Sequence, residues 1–336
     1  MLTEHVDTTA RHDLTTTVAK EYVHRAALAE VFLTGWRRTG PDAFTLTAQW
    51  PRSHSFYSVS QAVYDPMLLC ETIRQTFPLL MHAAYEVPFG YQLSWKDFRY
   101  TADPEAMRVT GTPAEIVLRV WCHEIRRVRG LPSALAMRFE ISRGDALLAV
   151  ASTRIGCSSP AVYRKVRAGR GGVVPEPVAA ERRRPLAPHT VDRRFAADVV
   201  LAEPARPAAG GPPGSVEWQL LLDPTHPVLF DHPVDHAPGM VLFEAVQQAV
   251  LALGDQPDMS MPISMDMAFH RYVEFDSPCT ITAEPAASPA AGTRRALRVS
   301  GLQNGACAFE ATVEADTVRP LPAPGLRSGA VAAGTA

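Results

Sequence analysis

The sequence predicts an α+β fold built twice on one pattern, a curved antiparallel sheet wrapped around a central apolar helix, and three observations predict it. The first is an ungapped self-match. With Trp50 placed on Asp223, Pro51 falls on Pro224, Met67 on Met240, Glu71 on Glu244 and Gln75 on Gln248, while Leu68, Leu69 and Ile73 fall on Val241, Leu242 and Val246. The second is a strand–turn–strand signal downstream of each copy. Ala134 to Ile141 and Ala146 to Ile155 flank Arg143-Gly144-Asp145. Arg295 to Leu302 and Ala306 to Ala315 flank Gln303-Asn304-Gly305, where Asn-Gly is a strong hairpin turn. The third is that both repeated helices are apolar nearly all round, so each must be enclosed by other structure. A sheet curled around a buried helix is the hotdog arrangement, and two in tandem make a double hotdog.

Each segment follows from local chemistry. Residues 1–20, rich in Thr, Asp and His, are expected to be a flexible N-terminus, and 21–165 the first domain. Its helix opens at Pro66, where a missing N–H costs nothing, and Pro78 is expected to kink or end it early. Gly, Pro and Arg crowd into 166–188, which reads as an interdomain linker. The second domain runs over 189–318, interrupted by a Pro/Ala/Gly-rich insertion from Glu203 to Gly214. Pro238 lies at the start of its helix and Gly254 is placed to cap the far end. Residues 319–336 are low-complexity and expected to be a disordered tail.

A chain of 336 residues, 46% hydrophobic and 20% charged, can bury two sizeable cores. A formal net charge of −2 gives no reason to expect nucleic acid or an anionic membrane as partner. Five scattered cysteines, never spaced CxxC, argue against a disulfide framework and a zinc motif. The first 20 residues hold no signal-peptide apolar core. No apolar run approaches the roughly 18–20 residues of a membrane span. The expectation is a reduced, cytoplasmic, soluble protein without metal or cofactor. No GxxxxGK[ST], GxGxxG or GxSxG pattern occurs, which removes the common nucleotide-binding and serine-hydrolase readings.

Two carboxylates carry the chemical expectation. Glu71 and Glu244 stand in the apolar helices with a glutamine, Gln75 or Gln248, four residues on. Burial without a partner raises a carboxyl pKa toward the range of general acid/base work. The competing reading is an exposed or satisfied Glu, with Arg74 three residues after Glu71 as an ion-pair partner. Before the second helix stand Asp231-His232-Pro233-Val234-Asp235-His236-Ala237-Pro238-Gly239-Met240. Backbone N–H groups at Gly239 and Met240 can hold a thioester carbonyl or its oxyanion, and Gly239 allows close approach. His232 and His236 are candidate catalytic auxiliaries or satisfied turn residues; the prolines forbid the helix that a metal-binding pair would need. The first copy has Ser58, Val59, Ala62 and Val63 at the positions matching Asp231, His232, Asp235 and His236, so the second half is expected to do the chemistry. Arg74 and Arg271 are candidate phosphate ligands.

Val23-His24-Arg25, Glu30-Val31-Phe32-Leu33-Thr34 and Ala48-Gln49-Trp50-Pro51-Arg52, with His54 and Phe56-Tyr57, resemble the A-factor biosynthesis family, the γ-butyrolactone autoregulator synthases. Asp231 to His236, Pro238-Gly239-Met240 and Glu244-Ala245 resemble that family's other signature, and the resemblance spans about Val23 to Val318. It implies a tandem hotdog fold. It also implies transfer of a β-ketoacyl group from acyl-carrier protein, or CoA, to a hydroxyl of dihydroxyacetone phosphate, toward a signalling lactone that controls secondary metabolism. The glutamates the family uses fall on Glu71 and Glu244.

Where family members commonly carry Arg three residues after the second Glu, this chain has Gln247. Phosphate recognition then shifts to Arg74 or Arg271, or the acceptor differs. The Gly239-to-Glu244 spacing is similar to that of hotdog dehydratases, but their catalytic His falls on Phe230, which disfavours dehydration. A thioesterase and a non-catalytic acyl- or lactone-binding regulator are the alternatives. A tandem hotdog imitates the usual dimer within one chain, so a monomer or a homodimer is expected.

Overall fold

The computed structural model describes residues 15–168, 183–203, 213–254, 260–286 and 294–317. Its strands are β1 (Leu33–Gly40), β2 (Ala43–Trp50), β3 (Gln92–Ala102), β4 (Ala114–Val128), β5 (Leu131–Arg143) and β6 (Ala146–Ser158) in the first half. The second half supplies β7 (Leu201–Ala202), β8 (Val216–Leu220), β9 (Ser260–Phe269), β10 (Cys279–Ala286), β11 (Arg295–Gln303) and β12 (Ala306–Thr317). The helices are α1 (Pro66–Leu79), α2 (Pro160–Val166) and α3 (Gly239–Ala252).

All strands join one antiparallel sheet in the order β1-β2-β4-β5-β6-β3-β9-β12-β11-β10-β8-β7. The order reads alike from both ends, as a duplicated unit must. The halves meet where β3 pairs with β9, Phe98 opposite Met267. Alternation along the strands selects the inner face: in β2, Phe44, Leu46, Ala48 and Trp50 are buried and the residues between them half-buried. Both hairpins form where expected, β5–β6 and β11–β12, the second turning through Asn304 and Gly305 at φ 52° and 72°.

The sheet encloses both helices. Every residue of α1 except Arg74 is buried, and in α3 everything from Met240 to Leu251. Pro66 takes the first position of α1, and Gly254 follows α3 with its N–H on Leu251 O at 2.8 Å. Pro78 neither ends nor visibly breaks its helix. The α-helix runs one residue past Pro78, to Leu79, and the chain continues without a gap as a π-helical turn, Leu80–Ala84.

The start of the presumed linker is structured: α2 leads into Arg167, which is buried against Asp235 and Glu274. Residues 169–182, most of residues 1–20, residues 204–212 of the insertion, and the tail from 318 lie outside the described residues. No described helix is long and apolar enough to cross a membrane.

Candidate active site

The duplication extends to a polar cluster beneath each helix. Gln75 donates to Glu71 Oε1 at 2.7 Å and to Glu30 O at 2.7 Å, and its own oxygen accepts Phe32 N–H at 2.9 Å. Gln248 repeats this with Glu244 Oε1 at 2.6 Å, Asp198 O at 2.8 Å and Val200 N–H at 2.9 Å. His54 accepts the Phe56 and Tyr57 amides and faces Glu30; His226 accepts those of Val228 and Leu229 and faces Asp198. Each glutamate is gripped by an arginine that follows a short 3-10 turn and a left-handed residue, His24 or Asp192. Arg25 reaches Glu71 with Nε at 2.9 Å and Nη2 at 2.6 Å, and Arg193 reaches Glu244 with Nε and Nη2, both at 2.7 Å.

The expectation of two unpartnered carboxylates is therefore corrected. Burial pushes the Glu71 carboxyl up, but Arg25 and Arg74 outweigh it and hold it down at about 2. Arg74 completes the grip with Nε on Oε2 at 2.8 Å and Nη2 on Oε1 at 3.0 Å. At Glu244 burial pushes the carboxyl above its ordinary range, with Arg193 pulling it down and Asp65 adding to the rise. Asp65 and Glu244 share one guanidinium, since Asp65 Oδ2 lies 3.0 Å from Arg193 Nη1.

Only the first of these clusters borders the main cavity, a space of about 730 Å³ between the halves. One wall holds His24, Arg25 and Arg74, and another His232, His236, Gly239 and Met240. Phe77, Trp95, Leu242 and Phe269 form an apolar wall suited to an acyl chain, and Lys96, His270 and Arg271 are exposed at its edge. Glu244 and Gln247 do not line it. Gln247 instead donates to Asp65 Oδ1 at 3.0 Å, next to a smaller pocket of about 240 Å³ lined by His54, Ser58 and Arg193. Neither Glu244, expected to act on substrate, nor Gln247, expected to bind it, therefore faces the main cavity.

The helix mouth agrees with expectation in one respect and differs in another. Pro238 is the N-cap of α3 and supplies no side-chain bond, and the Gly239 and Met240 amides have no partner among the described residues. Gly239 is required for a reason other than carbonyl approach: a Cβ there would lie 2.3 Å from Trp95 Cζ3. Gly239→Ala is expected to push Trp95 off the helix mouth and cost roughly 1–3 kcal/mol; tryptophan fluorescence and thermal unfolding check this.

Of the histidines, His236 is the best oriented. Its Nδ1 lies 2.7 Å from Asp235 Oδ1, and its ring packs on Tyr272 with centroids 4.3 Å apart. Asp235 is fixed by Tyr163 Oη at 2.7 Å and Arg167 Nε at 3.0 Å, and His236 leads these contacts, with burial opposing, in pulling its carboxyl far below the usual range. Burial and then Arg74 lower the His232 pKa against the pull of Asp231. Asp231 lies 3.5 Å from His232 Nδ1, and its two oxygens accept the Ala26 and Ala27 amides, clamping the loop that carries Arg25. His24 is also neutral, burial followed by Arg74, His82 and His232 taking it down to about 3.

A model of the A-factor biosynthesis hotdog domain matches residues 6–159 and again 176–319. The chain belongs to the A-factor biosynthesis hotdog family. Among family relatives, a 2-oxo-3-(phosphooxy)propyl 3-oxoalkanoate synthase of Streptomyces virginiae is 45% identical over 89% of this chain and 98% of its own length. The synthase of the same name from Streptomyces griseus is 36% identical over 87% of this chain and 93% of its own. Beyond the family, a chain described as an oleoyl thioesterase from Lactobacillus plantarum superposes with a TM-score of 0.52 at 12% identity, covering 84% of this chain and 98% of that one, which is a likeness of fold.

Arg25, Arg193, Asp65 and Arg167 are the site residues that sequence reasoning on this family member missed. A signal existed for two of them, Val23-His24-Arg25 against Val191-Asp192-Arg193. That match needs a different gap from the helix repeat.

Proposed function

We propose that this chain is an acyltransferase that moves a β-ketoacyl group from a carrier-protein or CoA thioester to a hydroxyl of dihydroxyacetone phosphate, in the cytoplasm, as a step toward a γ-butyrolactone signal. Its family relatives carry that product in their names, and its two units are taken as 21–165 and 189–318. The observation that carries the reading is a single cavity holding an acyl-sized apolar wall, unpartnered amides at the α3 mouth and a carboxylate-held histidine.

His236, with Nδ1 occupied by Asp235, presents Nε2 as the general base. It takes the proton of the acceptor hydroxyl as that oxygen attacks the thioester carbon. The amides of Gly239 and Met240 stabilise the oxyanion that develops on the carbonyl. The C–S bond then breaks, and His236 returns the proton to the departing thiolate. Lys96 and Arg271 at the edge face the acceptor's phosphate and the donor's pantetheine phosphate. Glu71 and Glu244 are positioning residues: Glu71 holds Arg25 and Arg74, and Glu244 holds Arg193.

Mass spectrometry after incubating the protein with 3-oxooctanoyl thioester and dihydroxyacetone phosphate tests the reaction. The expected product is the phosphorylated ester. Free 3-oxo acid at the same rate with and without acceptor would instead make the protein a thioesterase, and an unconsumed thioester a binding protein.

A further inference from the structure

The two clusters differ in charge, and the difference locates an anion. Around Glu244, one guanidinium meets two carboxylates, Glu244 and Asp65; around Glu71, two guanidiniums meet one carboxylate. Asp231, a further acid nearby, accepts the Ala26 and Ala27 amides and pairs with His232 rather than with a guanidinium. In the ungapped register that superposes the helices, Asp65 falls on Pro238, Met67 on Met240 and Arg74 on Gln247. Arg193 takes the place of Arg25, as shown by their matching grips.

Asp65 is inserted at the mouth of α1 in the manner of a ligand. Its Oδ1 accepts the Met67 N–H at 2.8 Å and Gln247 Nε2 at 3.0 Å, and its Oδ2 pairs with Arg193 Nη1 at 3.0 Å. At the mouth of α3 the counterpart residue is proline, and among the described residues each of the three corresponding donors keeps an N–H to spare. The Met240 amide has no partner among the described residues. Arg193 Nη1 serves both Asp192 O and Asp65, whereas Arg25 Nη1 serves only Val228 O. Arg74 Nη1 has no partner among the described residues. Arg25 is 8% exposed, and what it exposes lines the main cavity together with Arg74 and Met240.

We propose that the Asp65 carboxylate occupies, in the closed half, the place that the oxyanion of the transferring acyl group takes in the open half. The oxyanion pocket then adds Arg25 Nη1 and Arg74 Nη1 to the amides at the α3 mouth, and Asp65 keeps the twin site silent as a built-in plug. This deepens the acyl-transfer reading and rests on it for the identity of the group, while the binding experiment needs no turnover.

The test transplants the plug. Pro238→Asp places a carboxylate at the α3 mouth, and Pro238→Asn supplies the same shape without charge. Titration of each full-length protein with octanoate, a stable carboxylate with an acyl tail, and separately with glycerol 3-phosphate reads the two anions independently. Pro238→Asp is expected to weaken octanoate at least thirtyfold and leave glycerol 3-phosphate within threefold, while Pro238→Asn keeps octanoate within about fivefold. Arg74→Gln, which copies the closed half, is expected to weaken octanoate about tenfold without loss of fold. Equal losses in the Asp and Asn variants, or wild-type octanoate binding in the Asp variant, overturn the proposal. Loss of glycerol 3-phosphate with octanoate spared assigns the pocket to a phosphate and overturns it too. If wild type transfers no acyl group but the Asp variant alone loses octanoate, the pocket stands and the reaction assignment falls.

Discussion

Glu71→Gln is expected to destabilise the fold by about 3–5 kcal/mol, because it strips a fully buried carboxylate from two guanidiniums that stay behind. The melting temperature should fall by roughly 5–10 °C. The pH dependence follows from the same pairing. The folded carboxyl is held at about 2 against an ordinary 4.5, so its stabilisation is complete above 4.5 and is lost as pH falls through 2. The gap between wild type and Glu71→Gln should therefore be widest near neutrality and close between these two values. Glu244→Gln is expected to cost less, since Asp65 remains to neutralise Arg193 and burial already disfavours the ionised Glu244. Denaturant unfolding of both variants at several pH values checks the order.

His236→Asn is expected to lower kcat by roughly 10²–10⁴-fold, the usual contribution of a positioned general base, with KM changed little. Asparagine keeps the turn and its polarity but has no basic nitrogen. Asp235→Asn should lower kcat less steeply, because it frees the imidazole without removing it. It should also loosen Arg167, whose other carboxylate partner is Glu274. Steady-state kinetics with the thioester and acceptor, alongside thermal unfolding of the same samples, separates lost chemistry from lost packing.

The architecture was legible because it rests on periodicity. Apolar residues on every face of two helices require enclosure, and the ungapped match from Met67 to Gln75 announces a duplication. The α3 mouth was legible for the same local reasons, Pro238 offering no cap and Gly239 opening the helix. The charge states were not. Arg25 and Arg193 lie 46 and 51 residues from the glutamates they grip, a distance that helix-spacing rules cannot span. Arg167 stands beside a Gly/Pro/Arg-rich stretch, so nothing local marks it as the buried partner of Asp235 and Glu274. One difference between the two glutamates was legible, Arg74 against Gln247 three residues on in each helix. The other difference is Asp65 against Pro238, which matters only once the helices are superposed.

A crystal structure with a non-hydrolysable 3-oxoacyl thioester analogue tests most directly which half is open. The analogue should lie in the cavity between the halves, its chain along Phe77, Trp95 and Phe269 and its carbonyl oxygen at the Met240 amide, with Asp65 still paired to Arg193. An analogue seated instead in the smaller pocket beside His54 and Ser58, with Asp65 displaced and Glu244 in contact with it, would contradict the account.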